Sequence, residues 1–194
     1  MYKNYLKRGL DLFIALIVLI LFSPLFILCF ILIPLTSKGP IFFKQERLGL
    51  NSKIFLLYKF RTMYNKKRAV DREILKGDSE VTFIGNYLRR FKIDELPQLL
   101  NVILGDMSLI GPRPSMPILK ESFNEDGKFR VLVRPGLTGM AQINGNIYLK
   151  WEERWKYDRY YVENCNFYLD LRILIKTVFI VLLGEKRFIK TFKV

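Results

Sequence analysis

The chain has 194 residues, 32 of them Lys or Arg and 18 Asp or Glu, so its formal net charge is +14, and it contains two cysteines and no histidine. The missing histidine excludes Ser-His and Cys-His nucleophiles and His-ligated metals, while Cys29 and Cys165 offer neither a disulfide framework nor zinc-type spacing. Acid, base and nucleophile are left chiefly to carboxylates, Lys, Tyr or an isolated hydroxyl or thiol. The basic balance fits an anionic membrane surface or a phosphorylated substrate; no nucleic acid is expected, because the charge is spread along the chain and no nucleic-acid signature appears.

Residues 12–35 carry no charge and are broken at Ser23-Pro24. As a straight helix these 24 residues would reach about 36 Å, enough for a hydrocarbon core of ~30 Å. Pro24 removes a backbone donor, and the Ser23 hydroxyl is placed to satisfy a freed backbone group, so a kink is expected. Lys3, Lys7 and Arg8 precede the segment and Lys38, Lys44 and Arg47 follow it. Positive charge on both flanks fits a re-entrant helix with both ends in the cytoplasm. A kinked single-pass anchor is the competing reading. A secretory signal is opposed by the length of the apolar run and the lack of an A-x-A-like site.

About 150 residues remain, enough for one compact domain. The boundaries expected are a membrane-embedded segment at 1–38 and a cytosol-facing domain at 39–194. Gly39-Pro40 marks a turn, and residues 40–45 and 54–63 read as an antiparallel pair joined through Gly49-Leu50-Asn51, with Lys59 and Arg61 on one face. In 66–80 nine of fifteen residues are charged, which reads as a solvated helix or connection. Residues 85–90 and 94–104 read as helix, ended by Gly105. Residues 169–183 are apolar but carry Asp170, Arg172 and Lys176, which fits an in-plane interfacial helix. The fold class expected is α+β, helix-rich, with short strands.

Three segments offer chemistry. Asp94-Glu95 follows Arg89, Arg90 and Lys92 at a helix start, where backbone N–H groups and the dipole favour anions. Asp94 is equally suited to be a plain N-cap. The loop 105–114 surrounds Arg113 with Gly and Pro, including Pro112, and 134–139 is a second such loop, followed by Gln142. Either could cradle phosphate, or simply turn the chain between packed elements.

Taken in order, the Ser23-Pro24 helix, Tyr58-Lys59-Phe60-Arg61-Thr62-Met63, Asp94-Glu95-Leu96-Pro97-Gln98-Leu99, the 105–114 loop, 134–139 and 158–162 resemble the bacterial sugar transferase family in its small, monotopic phosphoglycosyl transferase form. The resemblance covers nearly the whole chain. It implies a re-entrant helix, a catalytic domain at the cytoplasmic face of the bacterial plasma membrane, and transfer of a sugar 1-phosphate from a UDP-sugar to undecaprenyl (polyprenol) phosphate, with UMP released. It further implies Asp94 and Glu95 as catalytic carboxylates, Asp94 being the nucleophile. Mg2+ on Asp94 and Glu95 is expected, with Arg89, Arg113, Lys59 and Arg61 stabilising phosphate oxygens. Pro112, Gln142 and Asp170 are further substrate-site candidates. Asn146 stands where many relatives carry arginine, and Met140 where an aromatic is common. A one-step transferase with Asp94 as metal ligand, and a non-catalytic basic adaptor binding anionic lipid or partner proteins, are the alternatives. The adjacent acids argue against the adaptor.

Overall fold

The computed structural model describes residues 2–65 and 80–188; most of the charged stretch 66–80 therefore lies outside the described residues. A single π-type turn, Tyr2–Leu6, leads into α1, Lys7–Leu21, and α2, Ser23–Thr36, follows with a 60° bend between them. The expected break lies at Ser23-Pro24. Pro24 cannot donate to the Ile20 carbonyl one turn back, and the Ser23 hydroxyl takes that carbonyl instead at 2.8 Å. No single described helix is long and apolar enough to cross a membrane.

Strands β1, Phe42–Leu48, and β2, Ile54–Phe60, form an antiparallel hairpin in register Phe42 to Phe60 through Leu48 to Ile54. The turn at 49–51 is as expected, with Asn51 and Ser52 in the left-handed region. The strands themselves differ from the expectation: β1 runs on to Leu48 and β2 stops at Phe60. Arg61 lies past its end, and Met63 makes an isolated bridge to Val81.

Helix α3, Phe83–Arg90, is capped by Thr82, whose hydroxyl accepts from the Gly85 N–H. The helix expected over 94–104 is in fact split. Lys92 takes a left-handed conformation (φ 58°) that turns the chain, Ile93–Glu95 makes one 3-10 turn, and helix α4 covers only Gln98–Leu104, with Pro97 as its N-cap. Proline suits that place, since it has no N–H to leave unpaired. Gly105 ends α4 in the left-handed region, and its last carbonyls are taken by Arg8, which donates to Val102 and Ile103.

Strand β3, Ser108–Ile110, pairs in parallel with β4, Gly136–Thr138, and the short helix α5, Glu125–Lys128, lies between them in sequence. The pairing brings the two Gly/Pro loops together. Gly136 crosses so close to the Gly111 backbone that a Cβ there would collide with the Gly111 nitrogen. Helices α6, Trp151–Asn164, and α7, Phe167–Leu183, complete the chain; α7 starts two residues before the expected 169 because Asn166 caps it.

The protein is helix-rich with few, short strands. Its central core joins Ala15 of α1, Phe55 and Leu57 of β2, Leu99 and Val102 of α4, and Ile173 of α7. A second cluster joins Phe26, Cys29 and Ile33 of α2 to Phe60 and Leu88. Both halves of the bent pair are thus packed on one body. Their outer sides expose Leu16, Ile20, Leu21, Ile27, Ile31 and Leu35, and α7 likewise exposes Ile175, Val178, Phe179 and Leu182.

Candidate active site

Asn101 of α4 places the site. Its side chain is fully buried; Nδ2 donates to the Leu56 carbonyl at 2.7 Å and Oδ1 accepts the Tyr58 N–H at 3.0 Å. The amide stands in for a neighbouring strand along the edge of β2, and it fixes the turn before α4 against Lys59. Lys59 Nζ then reaches Glu95 Oε1 at 2.7 Å, and Arg113 Nη2 reaches the same oxygen at 2.5 Å. Burial works against the Glu95 charge, but Arg113 and Lys59 outweigh it and hold the carboxyl well below the usual carboxylate range.

Asp94 contrasts with its neighbour. It is 9% exposed, caps no helix and has no hydrogen bond or ion pair among the described residues. The plain N-cap reading is therefore not what the structure shows. Burial, and then the Glu95 charge, push its pKa up to about 6, while Lys59, Arg89 and Lys92 pull the other way. That still lies below neutral pH, so the carboxylate is the prevailing form at pH 7. Two adjacent carboxyls thus have different characters: one paired with two cations through Oε1, one charged but unengaged.

Arg113 is held by its own backbone. Its carbonyl accepts from Arg130 Nη2 at 2.7 Å, and Arg130 is ion-paired at 3.4 Å with Asp158 of α6, whose burial pushes its pKa up to about 6 against the pull of Arg130. This links the 158–162 segment to the loop that carries Arg113. Pro112 is buried, and its carbonyl accepts the Gly136 N–H at 2.9 Å.

A family model described as "Bacterial sugar transferase" matches residues 2–184. This chain belongs to the bacterial sugar transferase family. The transferase is 43% identical over 180 residues to the "Uncharacterized sugar transferase EpsL" of Bacillus subtilis, covering 93% of this chain and 89% of that one. It is 38% identical to the "UDP-N-acetylgalactosamine-undecaprenyl-phosphate N-acetylgalactosaminephosphotransferase" of Aeromonas hydrophila, over 93% of this chain but 44% of that protein. It is 37% identical to the "UDP-glucose:undecaprenyl-phosphate glucose-1-phosphate transferase" of Escherichia coli, over 91% of this chain and 40% of that protein. The chain thus spans less than half of the length of these two relatives.

Of the residues expected in the transferase's site, the structure brings together Asp94, Glu95, Lys59 and Arg113. Arg89 lies close enough to act on the Asp94 charge, and its Nε donates to Thr62 Oγ1 at 3.0 Å. Arg61 diverges from Lys59: it is buried and donates to the Ser37 carbonyl at 2.5 Å, where α2 ends. Asp170 is 3% exposed in the first turn of α7, where it accepts from Tyr2, Lys7 and Tyr161 at 2.6, 2.8 and 2.8 Å. It ties α7 to the start of α1. Gln142 is buried in the 3-10 turn Gln142–Asn144, with no side-chain partner among the described residues. Asn146 is buried with φ 47°, a left-handed conformation that asparagine accepts readily, and Met140 packs beside Ala141, Leu149 and Tyr157. Sequence reasoning missed Asn101, which looked like one polar residue in an apolar stripe.

The described residues contain no cluster of three or more His, Cys, Asp or Glu. The dyad alone offers the donor set of a phosphate-borne Mg2+, which needs one or two carboxylates beside substrate oxygens. Glu95 Oε2 keeps acceptor capacity, its Arg113 contact being long at 3.4 Å.

Proposed function

We propose that the protein transfers a sugar 1-phosphate from a UDP-sugar to undecaprenyl phosphate at the cytoplasmic face of the membrane, through a covalent phosphosugar on Asp94. The observation that carries this is the unengaged, ionised Asp94 carboxylate beside a Glu95 that already holds Lys59 and Arg113. An Asp94 oxygen attacks the sugar-bearing phosphorus, the bond to the bridging oxygen breaks, and UMP leaves with its electron pair. A phosphate oxygen of undecaprenyl phosphate then attacks the same phosphorus, the Asp94 acyl-phosphate bond breaks, and undecaprenyl diphosphosugar departs. Lys59, Arg113 and Arg89 oppose the negative charge that gathers on the phosphoryl oxygens. Mg2+ would be held by Asp94 and Glu95 and would neutralise diphosphate charge.

The helix pair supplies the membrane contact. α1 has 15 residues and α2 has 14, about 22 and 21 Å long, and a 60° bend then puts the apex about 11 Å from the line joining their ends. That depth stays within one leaflet of a ~30 Å core. The start of α1 is tied to α4 and β3 through Arg8 and Asp11, and the end of α2 to Phe60, Leu88 and Arg61. One body holding both ends supports a re-entrant pair rather than a span, with α7 lying alongside in the interface.

The test is UMP release by the detergent-solubilised protein with Mg2+ and undecaprenyl phosphate across a panel of UDP-sugars. Labelled UMP should exchange into the nucleotide sugar without lipid acceptor, and Asp94→Asn should abolish that exchange. Exchange that survives the substitution would remove Asp94 as nucleophile.

A further inference from the structure

Arg47 lies near enough to feel the charges of Glu95 and Arg113 but has no carboxylate oxygen within 4.0 Å among the described residues. The hairpin register explains its position. Arg47 stands opposite Phe55, and Lys59 opposite Phe43; cross-strand partners share a face, and alternate residues return to it, so Arg47 and Lys59 project on one side. Phe55 and Leu57 carry that side into the core, and Lys59 meets Glu95 at its end.

Arg47 is held in place by neutral acceptors. Nη1 donates to the Pro114 carbonyl at 3.2 Å, Nη2 to Gln45 Oε1 at 2.5 Å, and Nε is buried without an acceptor. Burial, and then the Arg113 charge, bring its pKa down to about 10, although Glu95 pulls it up. Glu95 is not its ion-pair partner: the short contacts of that carboxylate go to Lys59 and Arg113. Two cations therefore pair with Glu95, and Arg47 stands near them as a third with no acid of its own among the described residues. A half-buried guanidinium fixed in position and lacking an acid is costly unless an anion arrives from outside, and the guanidinium fork matches phosphate oxygens.

We propose that Arg47, together with Arg113, forms a phosphate-monoester subsite for the phosphate that is not transferred to Asp94. In the scheme above, on which this assignment rests, that group is the phosphate of UMP as it leaves, and then the phosphate of the lipid acceptor that enters after it. Two successive anions with the same chemistry use one set of donors.

The test compares the full-length wild type, Arg47→Gln and Arg47→Lys in detergent micelles, titrated with UMP and, separately, with a short-chain polyprenyl phosphate, thermal midpoints being recorded for each. Arg47→Gln should weaken binding about ten- to a hundredfold, the range for a hydrogen-bonded charged group, and Arg47→Lys should fall between, since it keeps the charge and loses the fork. Should the Gln protein not fold, the Lys protein carries the comparison, with at least about a threefold loss expected. Weakening of both ligands supports a shared subsite; weakening of UMP or of the lipid phosphate alone assigns it to that source. Affinities within twofold of wild type for both ligands, or a wild type that binds neither, would overturn the subsite. Label exchange that persists in Asp94→Asn, with Arg47-dependent UMP binding intact, would instead overturn the Asp94 intermediate and leave the subsite standing.

Discussion

At neutral pH the fold carries an ionised Asp94 that its surroundings disfavour, so Asp94→Asn is expected to stabilise the protein while abolishing turnover. The carboxyl rises from its ordinary 3.8 to about 6, and at about 1.4 kcal/mol per pH unit the ionised folded state is disfavoured by about 3 kcal/mol. Above pH 6 the carboxyl is ionised in both folded and unfolded chains, and the whole cost is present. Below 3.8 it is protonated in both, and the cost is gone. Stability of the wild type relative to the Asn protein therefore falls as pH rises through that window. For a chain of this length about 2–4 °C accompanies each kcal/mol, so the Asn protein should melt about 6–12 °C higher at pH 8 and about equally at pH 4. Thermal unfolding in one detergent across that pH range measures this directly. A midpoint at pH 8 equal to or below that of the wild type would refute the argument, as would a gain that does not change with pH.

Asn101→Leu should leave the Leu56 carbonyl and the Tyr58 N–H unpaired, cost about 2–4 kcal/mol and lower the rate of UMP release by displacing Lys59 from Glu95; a stable, fully active Leu protein would dismiss Asn101 as the residue that sets this geometry. Asp170→Asn removes the acid that meets Lys7 at 2.8 Å. Denaturation should show a loss of about 3 kcal/mol, the low end for breaking a buried pair, because Asp11 remains 3.9 Å from Lys7. Replacing Ser23 and Pro24 together by Ala restores the missing donor and should straighten the pair into a helix of about 45 Å. With Cys29 and Cys165 removed, single cysteines at positions 3 and 38 should both resist an impermeant thiol reagent in intact cells for the bent form, whereas the straightened form should expose one of them. Identical labelling of the two forms would sever the link between the bend and topology.

The parts of the fold legible in the sequence are those determined by near neighbours. Proline after serine in an uncharged run locates the bend, and Gly49-Leu50-Asn51 locates the hairpin turn. The site was legible only as a pair of acids with cations nearby, because its geometry rests on distant contacts. Asn101 bonds backbone 43 and 45 residues earlier, and Arg113 meets Glu95 across 18. No local pattern distinguishes such an asparagine from one facing solvent. Arg61 misled for a related reason: alternation along a strand puts it with Lys59, but β2 ends at Phe60 and the side chain turns to Ser37 instead. The start of α4 was misplaced because Lys92 adopts a left-handed conformation usual for glycine or asparagine.

That same turn separates the roles of two residues adjacent in sequence. In a regular helix beginning at Asp94, the first carboxylate would take the backbone N–H groups of the opening turn and be spent as a cap. The left-handed Lys92 and the single 3-10 turn Ile93–Glu95 instead put the helix start at Gln98, three residues beyond the dyad's end, so neither acid serves the helix. Glu95 then falls between Lys59 and Arg113 and is locked as an anion that holds both cations in position. Asp94 feels the charges of Lys59, Arg89 and Lys92 but is bonded to none of them among the described residues. A nucleophile needs an ionised oxygen that no hydrogen bond has to release, and a positioning acid needs the reverse. Exchanging the two residues, Asp94→Glu with Glu95→Asp, keeps the charge but shortens the reach toward Lys59 and Arg113 by one methylene. It should therefore abolish label exchange as completely as Asp94→Asn; exchange near the wild-type rate in the swapped protein would show that the two acids are interchangeable and that this division of roles is wrong.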